Sequence, residues 1–319
     1  PVFDVATEQG GLVPIRRGGG LQTTSLRLLD ASGKQYLLRS MDKDPSQSVP
    51  AEMRETFITD VVTDLISIIL PYSALLVPPL SEAAGVFYAT PKLVYVPDDP
   101  AFGVYQEMVA NTMMLFERRP ADDMSAFDNF GNTEKVVSSP KMFRELADDN
   151  DHRVDERFFA RSRMFDMFIS DWDRHADQWR WATYDDPDGK GDLYKPIPRD
   201  RDWSFNQMNG IIPSIIQSRW VLPKFQHFRP EFGILRGLNG AGLPLDRRFT
   251  STLTESDWRT IGDDMERAVT DASIQASLDA LPAQIKPMYE QEFSSTLKSR
   301  RSQLGDIGAE YYSLLAALV

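Results

Sequence analysis

The stretch that decides the fold runs Asp171-Trp172-Asp173-Arg174-His175-Ala176-Asp177-Gln178-Trp179, and a hairpin's length later comes Asp200-Arg201-Asp202-Trp203-Ser204-Phe205. Between the two acidic clusters, Trp181 to Tyr184 reads as a strand, Asp186-Pro187-Asp188-Gly189-Lys190-Gly191 as a turn, and the chain returns as a strand to Arg199. The turn lacks the full ligand register and closing glutamate of a calcium loop, so a plain hairpin is the better reading. Upstream, residues 155 to 170 carry Phe158, Phe159, Met164, Phe165, Met167 and Phe168, the composition of a buried helix that feeds the first Asp-rich loop.

Further out, Leu21 to Leu29 and Lys34 to Ser40 form a predicted hairpin across Asp30-Ala31-Ser32-Gly33, preceded by Arg16-Arg17-Gly18-Gly19-Gly20. Apolar Phe57, Val61, Leu65 and Ile69 predict a helix over Glu52 to Leu70 that stops at Pro71. A short helix over Leu76 to Ala84 and strands over Val86 to Val96 and Met113 to Arg118 complete the first third. Ala121 to Asp151 is polar and irregular, which places a crossing between two lobes there. From Thr254 onward the pattern is helical to the end, with Thr254 or Ser256 as the N-cap.

Composition narrows the function. The 319 residues hold 35 Lys plus Arg against 47 Asp plus Glu, and a formal charge of −12 repels a nucleic-acid backbone or an anionic membrane over most of the surface. Cysteine is absent, which excludes disulfides, thiolate metal sites and cysteine nucleophiles. The three histidines, His152, His175 and His227, lack the spacing of a zinc-binding helix. Val61 to Leu80, the most apolar region, is broken by Asp64, Pro71 and Pro78-Pro79, so no membrane span is expected. The chain opens Pro1-Val2-Phe3 without a methionine or signal-like segment, which reads as a processed product or a piece of something larger.

The order of parts is what points to chemistry: a basic, Gly-rich hairpin, an acidic helix, a buried helix feeding an Asp-rich loop, and a hairpin delivering a second Asp pair. Phosphoryl transfer uses such a set. Backbone amides and cations hold the phosphates, one carboxylate orients or deprotonates the attacking hydroxyl, and a carboxylate with an amide binds magnesium. A loop after a helix can turn Asp173 toward substrate and Gln178 back toward metal, with Asp202 arriving from the hairpin opposite.

These residues resemble the protein-kinase-like superfamily, especially its atypical CotH-type, HipA-type and secretory-pathway branches. Asp173-Arg174-His175 followed by Gln178 is similar to their Asp-Arg-His-x-x-Asn catalytic loop, and Asp200 to Phe205 is similar to the CotH metal motif Asp-x-Asp-x-x-Phe. The string Asp171 to Trp181 also resembles a kinase-like domain of large bacterial envelope proteins that carry a calcineurin-like phosphoesterase domain and an outer-membrane barrel. The resemblance implies an α+β, two-lobed kinase-like fold, with a β-rich small lobe over 1–120 and a helical large lobe over 121–319. It implies Asp173 as catalytic base, Arg174 and His175 shaping its loop, Gln178 and Asp202 as ligands of Mg2+ or Mn2+, and Asp200 as a second metal candidate. Arg17, Gly18, Gly19 and Gly20 take the place of the phosphate-covering loop, and Arg39 that of the phosphate-gripping lysine, with Lys43 as its substitute. Glu117 and Arg118 resemble the hinge whose backbone meets adenine.

Two departures stand out. Arginine at 39 is not a conservative exchange for lysine at a phosphate site, and Gln178 adds a methylene to the usual asparagine. The helix partner of the basic residue stays open among Glu52, Glu55, Asp60 and Asp64. The implied activity is ATP-dependent phosphorylation of a hydroxyl on a protein or small molecule. The alternatives are a nucleotide-binding pseudokinase or scaffold within an envelope assembly, and an adenylyl transferase that holds its nucleotide reversed.

Overall fold

A computed structural model describes residues 1–18, 23–43, 70–207 and 226–317. It is a mixed α+β structure with a β-rich N-terminal lobe and a helical C-terminal lobe, as the sequence predicts. The first lobe is an antiparallel sheet of β1 (Leu12–Gly18), β2 (Thr23–Asp30), β3 (Gln35–Lys43), β4 (Lys92–Val96) and β5 (Thr112–Arg118), ordered β1-β2-β3-β5-β4. The β2–β3 turn is fixed by Asp30, whose Oδ1 accepts from the backbone N–H groups of Ser32 and Lys34, both at 2.9 Å, while Gly33 takes φ 85°. Alternation then sorts the faces: Leu26, Leu28, Leu38, Met114 and Phe116 turn into one apolar core, leaving Arg27, Leu37, Arg39 and Glu117 on the other.

The strand expected over Val86 to Val96 begins only at Lys92, because Pro91 has no N–H to offer a ladder. The expected helix from Leu76 starts earlier, as α1 (Ser73–Ala84), and keeps Pro78 and Pro79 inside it. Although α1 precedes residue 120, Leu76, Val77, Leu80 and Ala84 belong to the helical core, and Ser277 Oγ donates to Leu76 O at 2.6 Å. The predicted helix over Glu52 to Leu70 lies outside the described residues except for Leu70 itself.

The segment expected to be an irregular crossing contains β6 (Lys135–Ser138) and α2 (Ser139–Asp148). Its polarity misleads because α2 buries only Ser139 and Met142, so most of its surface is solvated. Strands β7 (Arg153–Val154), β8 (Trp179–Asp185) and β9 (Asp192–Pro198) join β6 in a second sheet, ordered β6-β8-β9-β7. Helix α3 (Glu156–Phe168) is capped by Asp155 and buries Phe159, Met164, Phe165, Met167 and Phe168 completely.

The C-terminal helices are α4 (Leu243–Phe249), α5 (Glu255–Ala268), α6 (Asp271–Asp279), α7 (Lys286–Arg301) and α8 (Leu304–Ala316). Helix α5 starts at a reciprocal capping box between Thr254 and Asp257. Among the described residues no helix is long and apolar enough to cross a membrane.

Helices α5 and α8 touch through glycine. A Cβ at Gly262 would sit 2.3 Å from the carbonyl oxygen of Leu304, and one at Gly308 2.4 Å from that of Trp258. Neither oxygen can swing aside, since both belong to backbone. Gly308→Ala is therefore expected to lower unfolding stability by roughly 1–3 kcal/mol, as overpacked cores do. An unchanged midpoint in urea would show that the helices separate freely.

Candidate active site

Helix α3 ends where Ser170 takes φ 58°, and Asp171 N–H donates back to Asp166 O at 2.8 Å. This turn buries Asp171, whose Oδ2 accepts from Arg174 Nη2 at 2.7 Å. Burial pushes the Asp171 carboxyl up to about 6, against the pull of Arg174 and with a further push from Asp166. Arg174 is fully buried, and its two terminal nitrogens also donate to backbone: Arg199 O at 2.7 Å, Gln178 O at 3.4 Å, and Asp200 O. One guanidinium thus ties the loop after α3 to the segment after β9. The backbone adds to this, with Arg199 N–H donating to Gln178 O at 2.9 Å.

Within the loop, Gln178 Nε2 donates to Asp173 Oδ2 at 3.3 Å, and His175 Nε2 lies 3.8 Å from Asp173 Oδ1. Asp173 is partly exposed, with its side chain 20% accessible, so a solute can reach it. His175 is exposed and accepts from Asp177 N–H through Nδ1 at 3.3 Å, which closes the turn.

The second acidic segment bends at Asp200, φ 48°, and at Phe205, φ 57°, a left-handed geometry that costs energy for residues other than glycine. It is held from several sides. Phe205 N–H donates to Ile169 O at 3.0 Å, Ser73 Oγ donates to Asp202 O at 3.3 Å, and Arg201 Nη1 pairs with buried Asp166 at 2.7 Å. Asp200 and Asp202 then face the sheet above.

Arg39 meets them. From β3 it reaches Asp200 Oδ1 at 2.5 Å, Asp202 Oδ1 at 3.5 Å and Glu117 Oε1 at 3.1 Å. Burial alone would pull its pKa down, but the charges of Asp202, Glu117 and Asp200 outweigh burial and hold it above its ordinary value. Burial raises the Glu117 carboxyl, with Arg39 opposing. Glu117 thus supplies Arg39 with a carboxylate from β5, through the diagonal neighbour of a strand pair in which Arg39 stands opposite Leu115. Sequence reading assigned Glu117 to a backbone hinge, and missed this side-chain contact because it depends on β-register.

The other predicted residues are scattered. Arg17 stands opposite Leu26, on the face away from Arg39, whereas Arg16 stands opposite Arg27. Gly18 faces Ser25, whose Oγ would be 2.9 Å from a Cβ there. Gly19, Gly20 and the side chain of Lys43 lie outside the described residues, as do Glu52, Glu55, Asp60 and Asp64. Arg118 turns from the cleft, its guanidinium 4.0 Å from the Phe127 ring centre and donating to Tyr36 Oη at 2.6 Å, which leaves its backbone for a hinge.

Among the described residues no three Asp, Glu or His side chains form a ready metal cage. Asp200 and Asp202 are brought together on Arg39, while the Gln178 amide bonds to Asp173. Oxygen donors of this kind suit magnesium or manganese, and magnesium commonly takes one or two carboxylates and fills its octahedron with water and phosphate. The guanidinium of Arg39 stands in for a cation here, and its bonds to both aspartates show that they converge on one positive group.

No protein-family profile matches the chain, and no curated protein matches it. Among solved structures, it is similar to the proinflammatory kinase CtkA of Helicobacter pylori, at 13% identity and a TM-score of 0.51, over 97% of both chains. A Rio2 kinase–ADP/Mg2+-phosphoaspartate complex from Chaetomium thermophilum aligns at 12% identity and a TM-score of 0.40, over 91% of this chain and 71% of that one. The first likeness establishes a kinase-like fold.

Proposed function

We propose that the chain is a magnesium- or manganese-dependent phosphotransferase of the atypical kinase type, moving a phosphoryl group from ATP to a hydroxyl on a protein or small molecule. One observation carries the reading: Arg39 from the sheet and Asp200 and Asp202 from the large lobe converge, while Arg174 ties the Asp173 loop to that same aspartate segment. In this reading the small lobe runs to about residue 120 and the large lobe from 121 to 319. Asp173 accepts the proton of the attacking hydroxyl, and Gln178 holds its carboxylate in place. Arg39 neutralises phosphate charge, and Gln178, Asp202 and Asp200 hold the cation. A bound divalent cation would supply neutralisation of the charge that develops on the transferred group. An envelope setting next to other domains is part of the proposal and rests on resemblance alone.

One observation favours a second reading: Arg39 occupies both aspartates that would ligate the metal, as a nucleotide-binding pseudokinase would tolerate. The deciding experiment follows product from doubly labelled ATP with magnesium, with manganese and with a chelator. Metal-dependent transfer of the γ-phosphate supports the proposal. Turnover unmoved by chelation, or binding without product, removes it, and transfer of AMP replaces it with the adenylyl reading.

A further inference from the structure

Arg300, near the end of α7, is only 1% exposed and belongs to no part of the proposed catalytic set. Its guanidinium reaches the end of α3, where Nη1 donates to Met167 O and Phe168 O, both at 3.0 Å, and to Ser170 Oγ at 2.7 Å. Its Nε turns the other way and donates to Arg229 O at 2.8 Å. The next carbonyl at the exit of α3, Ile169 O, takes the Phe205 N–H at 3.0 Å. Successive carbonyls are thus held from α7 and then from the second acidic segment, immediately before Ser170 turns left-handed at φ 58° and delivers Asp171. On the Arg229 side, Phe228 N–H donates to Asn206 O at 2.8 Å, and Asn206 follows Phe205 directly. The rings of Phe205, Phe228 and Phe293 of α7 pack with centroids 5.1 to 5.8 Å apart. Arg300 therefore joins the point where the first acidic segment begins to the chain that backs the end of the second.

Among the described residues Arg300 makes no ion pair with a carboxylate; burial, then repulsion from Arg229, pulls it down to about 9, with Glu231 pulling the other way. It stays protonated at neutral pH. Its charge is met by carbonyls at the negative end of α3 and by the faces of Phe228 and Phe232, whose centroids lie 4.9 and 4.4 Å from Cζ. A buried cation without a carboxylate is a poor device for stability, since a well-packed apolar side chain of the same volume leaves no charge to desolvate. A rigid planar fork supplies what an apolar side chain does not, which is direction. Its donors fix the angle at which the chain leaves α3, and Asp173 lies three residues beyond Ser170.

We propose that Arg300 is a positioning residue for phosphoryl transfer: by clamping the exit of α3 to the chain behind the second acidic segment, it aims the Asp173 loop at Asp200 and Asp202. What is positioned rests on the phosphotransferase reading; how it is positioned rests on the contacts of Arg300 itself. Arg174 ties the two segments to each other, and Arg300 fixes their ends to α7. None of the bonds of Arg300 reaches Asp173, Gln178, Asp200 or Asp202. Its loss alters geometry and leaves in place the groups that would meet nucleotide and metal.

The test is Arg300→Lys, which keeps the charge but has a single nitrogen, able to serve the end of α3 or Arg229 O and not both. On the whole chain, kcat for metal-dependent transfer from ATP is expected to fall roughly ten- to hundred-fold, the effect of a misplacement of about 1 Å, with KM for ATP within about twofold of wild type. In an Asp173→Asn background the same substitution is expected to cost nothing further, because the group it misplaces is already gone. Hydrogen exchange, which needs no turnover, is expected to speed up at amides 170–178 and to keep wild-type rates in α5 and α8. Should Arg300→Lys not fold, Ser170→Ala, which loses one of these bonds, takes the same measurements with a smaller fall in kcat. A kcat loss that persists beside Asp173→Asn, or exchange that rises evenly across the lobe, assigns Arg300 to the fold alone and overturns the proposal. Wild-type kcat with wild-type exchange overturns it too. A wild type without metal-dependent transfer sinks the phosphotransferase reading, and the exchange pattern then decides alone whether Arg300 positions the loop.

Discussion

Asp173→Asn is expected to reduce metal-dependent transfer from ATP by roughly 10²–10⁴-fold, the range for loss of a general base, and to leave the melting temperature close to wild type. Asparagine keeps the shape and one oxygen, so the contact with Gln178 at 3.3 Å survives, and the group is partly solvated, so its charge is not what holds the loop. The loop is held by Arg174 and Asp171 instead. Asp202→Asn is expected to lose a comparable factor for a different reason. It takes away one carboxylate of the proposed cation site, and removes one of the three carboxylates that face Arg39 among the described residues. The two variants separate by metal titration: raising magnesium should restore part of the Asp202→Asn activity and none of the Asp173→Asn activity. Wild-type rates in both would dismiss the assignment of this cleft as a catalytic centre.

What the sequence made legible was local. The helix feeding Asp171, the β8–β9 hairpin and its two acidic ends lie within about one helix–hairpin unit, so hydrophobic period and turn residues suffice to find them. Arg39 and Asp200 are 161 residues apart, and only the ordered likeness to a known superfamily suggested that they belong to one cleft. Glu117 escaped because its partner depends on strand register, which shifts by faces and not by composition. Register also puts Arg16, and not Arg17, on the face of the sheet that carries Arg39, a difference of one position that no residue count could decide.

Arg174→Met is expected to be the most destabilising single change in the site, costing about 3–5 kcal/mol of unfolding free energy, the usual cost of stranding one partner of a buried ion pair. Methionine fills similar volume, so the loss is electrostatic: Asp171 keeps a cation only in Arg201 at 3.7 Å among the described residues, beside the Asp173 N–H at 3.4 Å, and the carbonyls of Arg199 and Asp200 lose their donor. The pH dependence identifies the cause. In wild type the folded-state pKa of Asp171 is raised to about 6 from 3.8, so its ionised form is a liability to the fold above that value, relieved as the carboxyl protonates. Without Arg174 the folded pKa rises further, and the variant takes up its proton at a higher pH than wild type does. The stability gap should therefore narrow as pH falls from about 8 toward 6. Asp171→Asn/Arg174→Met should recover part of the loss at pH 8, because a neutral amide no longer needs the cation. A gap that is constant with pH, or a double variant as unstable as the sum of its parts, would mean that Arg174 acts through packing against Trp179 and that its charge does not bind the two acidic segments together.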